Sequence, residues 1–168
     1  MKFTILSLLI VIASATLAVG EPASTVIAPS QFLGKSFEHC ERQIGKPLSV
    51  EEPNEQNRGI GRFYRTTTPG VAKVLLLRAP SGGPDGPVSD TVSIVMYYFP
   101  KGTLKTWQEA FAAVGVPSDW ATVKSNRADQ VRLEGKDGFY IMWELAALSA
   151  KHPARFRDSN FDILTFTK

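Results

Sequence analysis

A short pattern occurs twice in this chain at a fixed separation, and it constrains the fold more than any other feature. The first copy runs Phe37, Cys40, Ile44, Gly45, Lys46, Pro47, and the second runs Trp107, Ala110, Val114, Gly115, Val116, Pro117. Each position of the second lies 70 residues beyond its counterpart (107 − 37, 117 − 47). In both copies small or apolar side chains recur at helical spacing, stop at a glycine and meet a proline two residues later. That describes a short amphipathic helix, ended by a glycine able to take positive φ and kept from continuing by the proline. The same offset pairs Phe63 with Leu133, and residues 90–96 with 160–166. The chain therefore divides into two units, about 32–99 and 102–168, each with its helix first and its strands after.

Residues 1–20 stand outside this scheme. Lys2 gives a positive start, Phe3 to Ile12 is apolar apart from Thr4 and Ser7, and small residues follow. Ala13-Ser-Ala15 and Ala18-Val-Gly20 are alternative cleavage motifs. This is the make-up of a secretory signal peptide. Phe3 to Val19 falls short of the about 20 apolar residues of a spanning helix and lacks a basic stop-transfer flank, so cleavage is favoured over an anchor. The mature protein is expected to be secreted or periplasmic, with no stable membrane insertion. The 148 residues that remain (168 − 20) suffice for one domain with its own core, preceded by a loose, proline-containing arm over 21–31. With 43% hydrophobic and 21% charged residues, disorder is not expected. The formal charge of +3 falls to +2 without Lys2 and its basic residues are scattered, so nucleic acid is not an expected partner. Cys40 is the only cysteine, so no internal disulfide can form despite an export route.

Along the chain, Ser36 is the expected cap of the first helix and Thr103 of the second. Residues 50–58 are polar and acidic and are expected as an exposed loop. Strands are expected at 60–66 and 71–79 with a turn at Thr68-Pro-Gly70, and at 90–99, the stretch richest in Val, Ile and Tyr. Residues 79–90 hold three prolines and three glycines and suit a long hairpin tip. In the second unit 118–129 reads as irregular, with a short turn at Asp119-Trp120. Strands follow at 130–134, 139–145 and 161–167, with a tight turn at Lys136-Asp-Gly138 and a basic loop over 146–159. The sum is an α+β fold: two tandem α-β-β-β units, one antiparallel sheet, both helices on one face.

The Gly34-Lys-Ser36 helix start, the Ile44-Gly-Lys-Pro47 helix end, the polar loop, the pair Phe63-Tyr64 and the hairpin strands together resemble two families. These are the SmpA/OmlA-type lipoproteins of outer-membrane assembly and the secreted β-lactamase inhibitor proteins. The resemblance covers nearly all of the mature chain in layout and about ten residues in motif. This chain has neither a lipid-attachment cysteine nor the inhibitors' paired cysteines. The resemblance implies a secreted protein-binding module on a sheet with an open concave face, and names no target.

The residues nominate no catalytic group. His39 and Cys40 are adjacent on a helix and point apart, and His152 lies in a loop, so neither a Cys–His pair nor a zinc site is supported. Gly82-Gly-Pro-Asp-Gly86 is a turn composition rather than a phosphate cradle, because its proline removes an amide donor. No metal and no organic cofactor is expected. The alternative to a binding module is a small-ligand carrier, or a hydrolase without cofactor that uses carboxylate, arginine and tyrosine groups.

Strand side chains alternate, so each strand can be sorted by parity. If Phe63, Ile94, Met96, Leu133, Ile141 and Trp143 meet the helices, the other face carries Arg62, Tyr64, Tyr97, Arg132, Tyr140 and Met142. Tyr, Met and Arg are the residues enriched at interface cores. These six are the expected binding residues, and a protein of the envelope or the extracellular medium is the expected partner.

Overall fold

The computed structural model describes residues 27–53, 59–80, 86–128, 130–146 and 160–168. The expected signal peptide, most of the arm and most of the loop over 146–159 lie outside them. Helix α1 (Phe37–Ile44) starts at Ser36, whose Oγ accepts from the His39 amide at 3.3 Å, and ends at Gly45 with φ 86°. Helix α2 (Trp107–Ala113) starts at Thr106, not at Thr103. Thr106 Oγ1 accepts from the Glu109 amide at 3.2 Å, and the Glu109 carboxylate accepts from the Lys105 amide at 2.7 Å. Glu109 is placed to reciprocate a cap at Thr106 and not one at Thr103, which decides between the two threonines. Thr103 instead donates its hydroxyl to the Pro100 carbonyl at 2.7 Å and closes the turn ahead of the helix.

The strands are β1 (Ser49–Glu51), β2 (Ile60–Tyr64), β3 (Lys73–Arg78), β4 (Ile94–Pro100), β5 (Ala121–Asn126), β6 (Gln130–Gly135), β7 (Tyr140–Glu144) and β8 (Phe161–Thr167). They form one open antiparallel sheet in the order β1-β2-β3-β4-β8-β7-β6-β5. Each helix is followed by a four-stranded meander. The two last strands, β4 and β8, meet in the middle, and the two first strands, β1 and β5, are the edges. Three strands per half were expected; β1 and β5 are the additions, one in the expected polar loop and one in the irregular stretch. Both are edge strands paired on one side only and exposed along most of their length, so neither has an alternation to read. A bulge between Val123 and Ser125 further breaks the period of β5.

Directly paired residues share a face of an antiparallel sheet. One row of partners runs Tyr64, Val74, Tyr97, Leu164, Trp143, Val131; a parallel row runs Arg62, Leu76, Val95, Phe166, Ile141, Leu133. The apolar members of both rows pack in a single core with Phe37 and Cys40 of α1 and Ala110 and Phe111 of α2. The Phe111 and Phe166 rings lie 5.8 Å apart. Both helices therefore cover the same face.

This arrangement corrects the parity expected for the first half. Tyr64, Tyr97 and Arg62 face the helices, while Phe63, Ile94 and Met96 face away. The 70-residue offset holds between the helices but not in the strand register: the row that runs Tyr64, Val74, Tyr97 continues as Leu164, Trp143, Val131, so equivalent positions differ by 67 in β4 and β8 (164 − 97) and in β2 and β6 (131 − 64). An odd offset exchanges the two faces, because side chains alternate with a period of two. The strand itself gives no warning, since Ile-Val-Met-Tyr-Tyr-Phe is apolar at every position.

The second face is not bare at its middle, which is a further correction. Leu75, Met96, Tyr98 and Ile163 are buried there, with Phe63, Ile94 and Phe161 packed around them. Lys73 lies across this cluster, its Nζ 4.7 Å from the Phe161 ring, 4.9 Å from Tyr98 and 5.1 Å from Phe63. An ammonium over three ring faces gains from each quadrupole while its alkyl stem shields apolar surface. The last part of the expected loose arm is also held in place. Ile27 is buried, its amide donates to Thr68 Oγ1 at 3.2 Å, and its carbonyl accepts from the Tyr97 hydroxyl at 2.7 Å. Among the described residues no helix is long and apolar enough to cross a membrane.

Candidate functional site

The six expected binding residues fall into two groups. Arg62, Tyr64 and Tyr97 belong to the interior on the helix side. Arg62 pairs with Glu41 of α1 and stacks its guanidinium 4.3 Å from the Phe37 ring centroid. Tyr64 is fully buried, with its hydroxyl 3.5 Å from the same Glu41 carboxylate. Burial first, and the Glu41 charge second, push the Tyr64 phenol far above its ordinary value of 10.0. Tyr97 is fully buried as well, and desolvation holds its phenol well above the same value. All three are structural props between α1, the N-terminal segment and the sheet.

Arg132, Tyr140 and Met142 lie together on the second face, at the end of the sheet remote from the Lys73 cluster. Arg132 and Met142 are direct cross-strand partners, and Tyr140, two residues before Met142 on β7, lies on the same side. Tyr140 is 43% exposed. Its hydroxyl is 3.9 Å from Met142 Sδ. Gln130 ties the group together: its amide oxygen accepts from Arg132 Nε at 2.7 Å, and its amide nitrogen donates to Met142 Sδ at 2.9 Å and to Glu144 Oε1 at 3.1 Å. Arg132 and Tyr140 also line a shallow concavity of about 400 Å³ with Glu134 and Lys124, which pair with each other. The row Phe63, Leu75, Met96, Thr165, Met142, Arg132 crosses this face from apolar and buried to polar and exposed. The exposed end lies on β6 and β7.

What this arrangement offers chemically is hydrogen bonding, a cation and an amphipathic ring, held by side chains that brace each other. The groups considered for catalysis are placed otherwise. Cys40 is enclosed in the core, and burial pushes its thiol up to about 11, so it is a thiol and not a thiolate at neutral pH. His39 meets Gln43 one helical turn on, at 2.9 Å, and His152 lies outside the described residues. The buried carboxylate of Asp162 accepts from the Gly102 amide at 2.9 Å and the Ala146 amide at 2.8 Å, pinning the turn after β4 to the end of β7. Among the described residues no three His, Cys, Asp or Glu side chains gather as a metal site needs.

Sequence reasoning missed a second concavity, of about 550 Å³, on the helix side of the β6–β7 turn. Its aromatic wall is Trp120 and Phe139, with ring centroids 5.3 Å apart, and Asp137 and Lys168 are its charged groups. The available signal was Trp120 itself, a large ring in a short polar turn, which the structure packs against the edge of the core. No family model matches the chain, and no curated protein or solved structure matches it, so the layout resemblance stands on the residues quoted for it.

Proposed function

We propose that this chain is an exported, non-catalytic binding protein that contacts a protein of the envelope or extracellular medium through Arg132, Tyr140 and Met142. Export rests on the composition of residues 1–20. The observation that carries the binding surface is the braced row on β6 and β7. Tyr140 is exposed beside Met142, and Arg132 is fixed by Gln130 with the rest of its guanidinium facing outward. Side chains already ordered by one another lose little freedom on contact, so more of the interaction energy appears as affinity. A partner that fits presents a carboxylate to Arg132, matching its planar fork, and an apolar side chain to the Tyr140–Met142 surface. Arg62, Tyr64 and Tyr97 support the sheet and take no part in the contact.

The test is quantitative. A partner captured from the native envelope or medium is purified and its Kd measured against wild type and the double variant Arg132→Ala/Tyr140→Ala. The expected loss is at least tenfold, about 1.4 kcal/mol, with the melting temperature held within a few degrees because both side chains are exposed. Equal affinity for the two proteins would contradict the proposal.

A further inference from the structure

We infer that the cavity beside the β6–β7 turn binds a small aromatic zwitterion, of the chemical class of an aromatic amino acid. This goes beyond the protein-binding surface: neither Arg132, Tyr140 nor Met142 lines this cavity. Its volume of about 550 Å³ falls within the ~300–1,000 Å³ typical of small-ligand sites.

The apolar wall is built and rigid. A Cβ added at Gly135 would sit 2.6 Å from Trp120 Cζ3 and 3.1 Å from Ile141 Cδ1, so the indole rests directly on the β6 backbone. Phe139 stands 5.3 Å from Trp120 at 45°, and Pro29, Leu33, Val116 and Pro117 are among the other lining residues. A planar ring entering here meets two aromatic partners whose orientation is already fixed.

The charges define the rest of the ligand. Asp137 sits in the left-handed region at φ 66°, which fixes it at the tip of the β6–β7 turn. Lys168 is tethered by its backbone amide to the Ser93 carbonyl at 3.1 Å. Both line the cavity, and among the described residues neither is ion-paired with the other or with a third group; the neighbouring Lys136 is the one that approaches Asp119, at 3.9 Å. Both residues are exposed where they line the cavity, and they offer a ligand one charge of each sign. A zwitterion answers both, its carboxylate toward Lys168 and its ammonium toward Asp137, while its ring lies on Trp120 and Phe139.

The three tryptophans, Trp107, Trp120 and Trp143, give three indole N–H signals in an amide NMR spectrum, so the site can be watched directly. The mature chain is titrated with L-phenylalanine, with N-acetyl-L-phenylalanine, which lacks the ammonium, and with 2-phenylethylamine, which lacks the carboxylate. L-Phenylalanine is expected to move the Trp120 signal saturably and to bind at least fivefold more tightly than either derivative. Lys168→Gln is expected to weaken L-phenylalanine and the N-acetyl compound at least fivefold and to leave 2-phenylethylamine unchanged. Asp137→Asn, which keeps a residue type tolerated at positive φ, is expected to weaken L-phenylalanine and 2-phenylethylamine and spare the N-acetyl compound. An unmoved Trp120 signal with all three probes, or equal affinities for the zwitterion and a derivative, would overturn the assignment. Because the readout is Trp120, failure here leaves the Arg132–Tyr140 surface untouched.

Discussion

Four tyrosines occupy three kinds of environment, and their chemistry differs accordingly. Tyr97 spends its hydroxyl on the Ile27 carbonyl inside the protein. Removing that hydroxyl leaves a buried acceptor unpaired, so Tyr97→Phe is expected to cost about 1–3 kcal/mol, measured by denaturant unfolding. Tyr140→Phe, at an exposed site, is expected to stay within about 0.5 kcal/mol of wild type. The buried groups also set a pH dependence. Cys40, Tyr64 and Tyr97 all have folded-state values raised above their ordinary 9.0 and 10.0. The folded state then holds protons that the unfolded chain releases, so stability is full below about pH 9 and falls as pH rises through the folded values. The first loss comes between about 9 and 11, where Cys40 titrates. The urea midpoint is expected to be level from pH 7 to 8.5 and lower at 10.5; a midpoint unchanged at 10.5 would contradict the enclosed environments.

The two helices show what a short element needs in order to form. α2 has seven residues and depends on Thr106 and Glu109 to satisfy its first amides. Thr106→Ala is expected to cost about 1 kcal/mol by thermal unfolding. Phe111→Ala should cost about 3–5 kcal/mol, because Phe111 is fully buried against Phe166 and Trp107. Trp107→Ala, at a half-buried site, should cost less. The helices were legible because a glycine, a proline and periodic apolar positions mark them locally. The faces of β6, β7 and β8 were legible too, where Arg132, Glu134 and Tyr140 alternate with Leu133 and Ile141. β4 was not, since both its faces are buried and its residues are apolar throughout. Nor were β1 and β5, whose pairing depends on neighbouring strands rather than on their own composition. Of the six expected residues, Arg132, Tyr140 and Met142 lie on the face away from the helices, while Arg62, Tyr64 and Tyr97 lie on the helix side, exchanged by the odd strand offset.

At the scale of the whole molecule, the sheet is asymmetric about its middle. The β4–β8 pair joins the two meanders and has buried side chains on both faces, while β1 and β5 bear exposed side chains at either edge. Amide exchange is expected to be slowest in β4 and β8 and fastest in β1 and β5. The same asymmetry leaves one end of the second face exposed at Tyr140 and closes its centre over Tyr98. Whether that partition of inside and outside is right can be measured through the tyrosines, since Tyr64, Tyr97 and Tyr98 are each 0% exposed and Tyr140 is 43% exposed. With 3-fluorotyrosine incorporated, fluorine NMR gives one signal for each, and a soluble paramagnetic agent broadens those in contact with solvent. Strong broadening of a single signal, the one lost in Tyr140→Phe, is the predicted result. Comparable broadening of the Tyr64 or Tyr97 signal would contradict the face assignment, and with it the surface proposed for binding on β6 and β7.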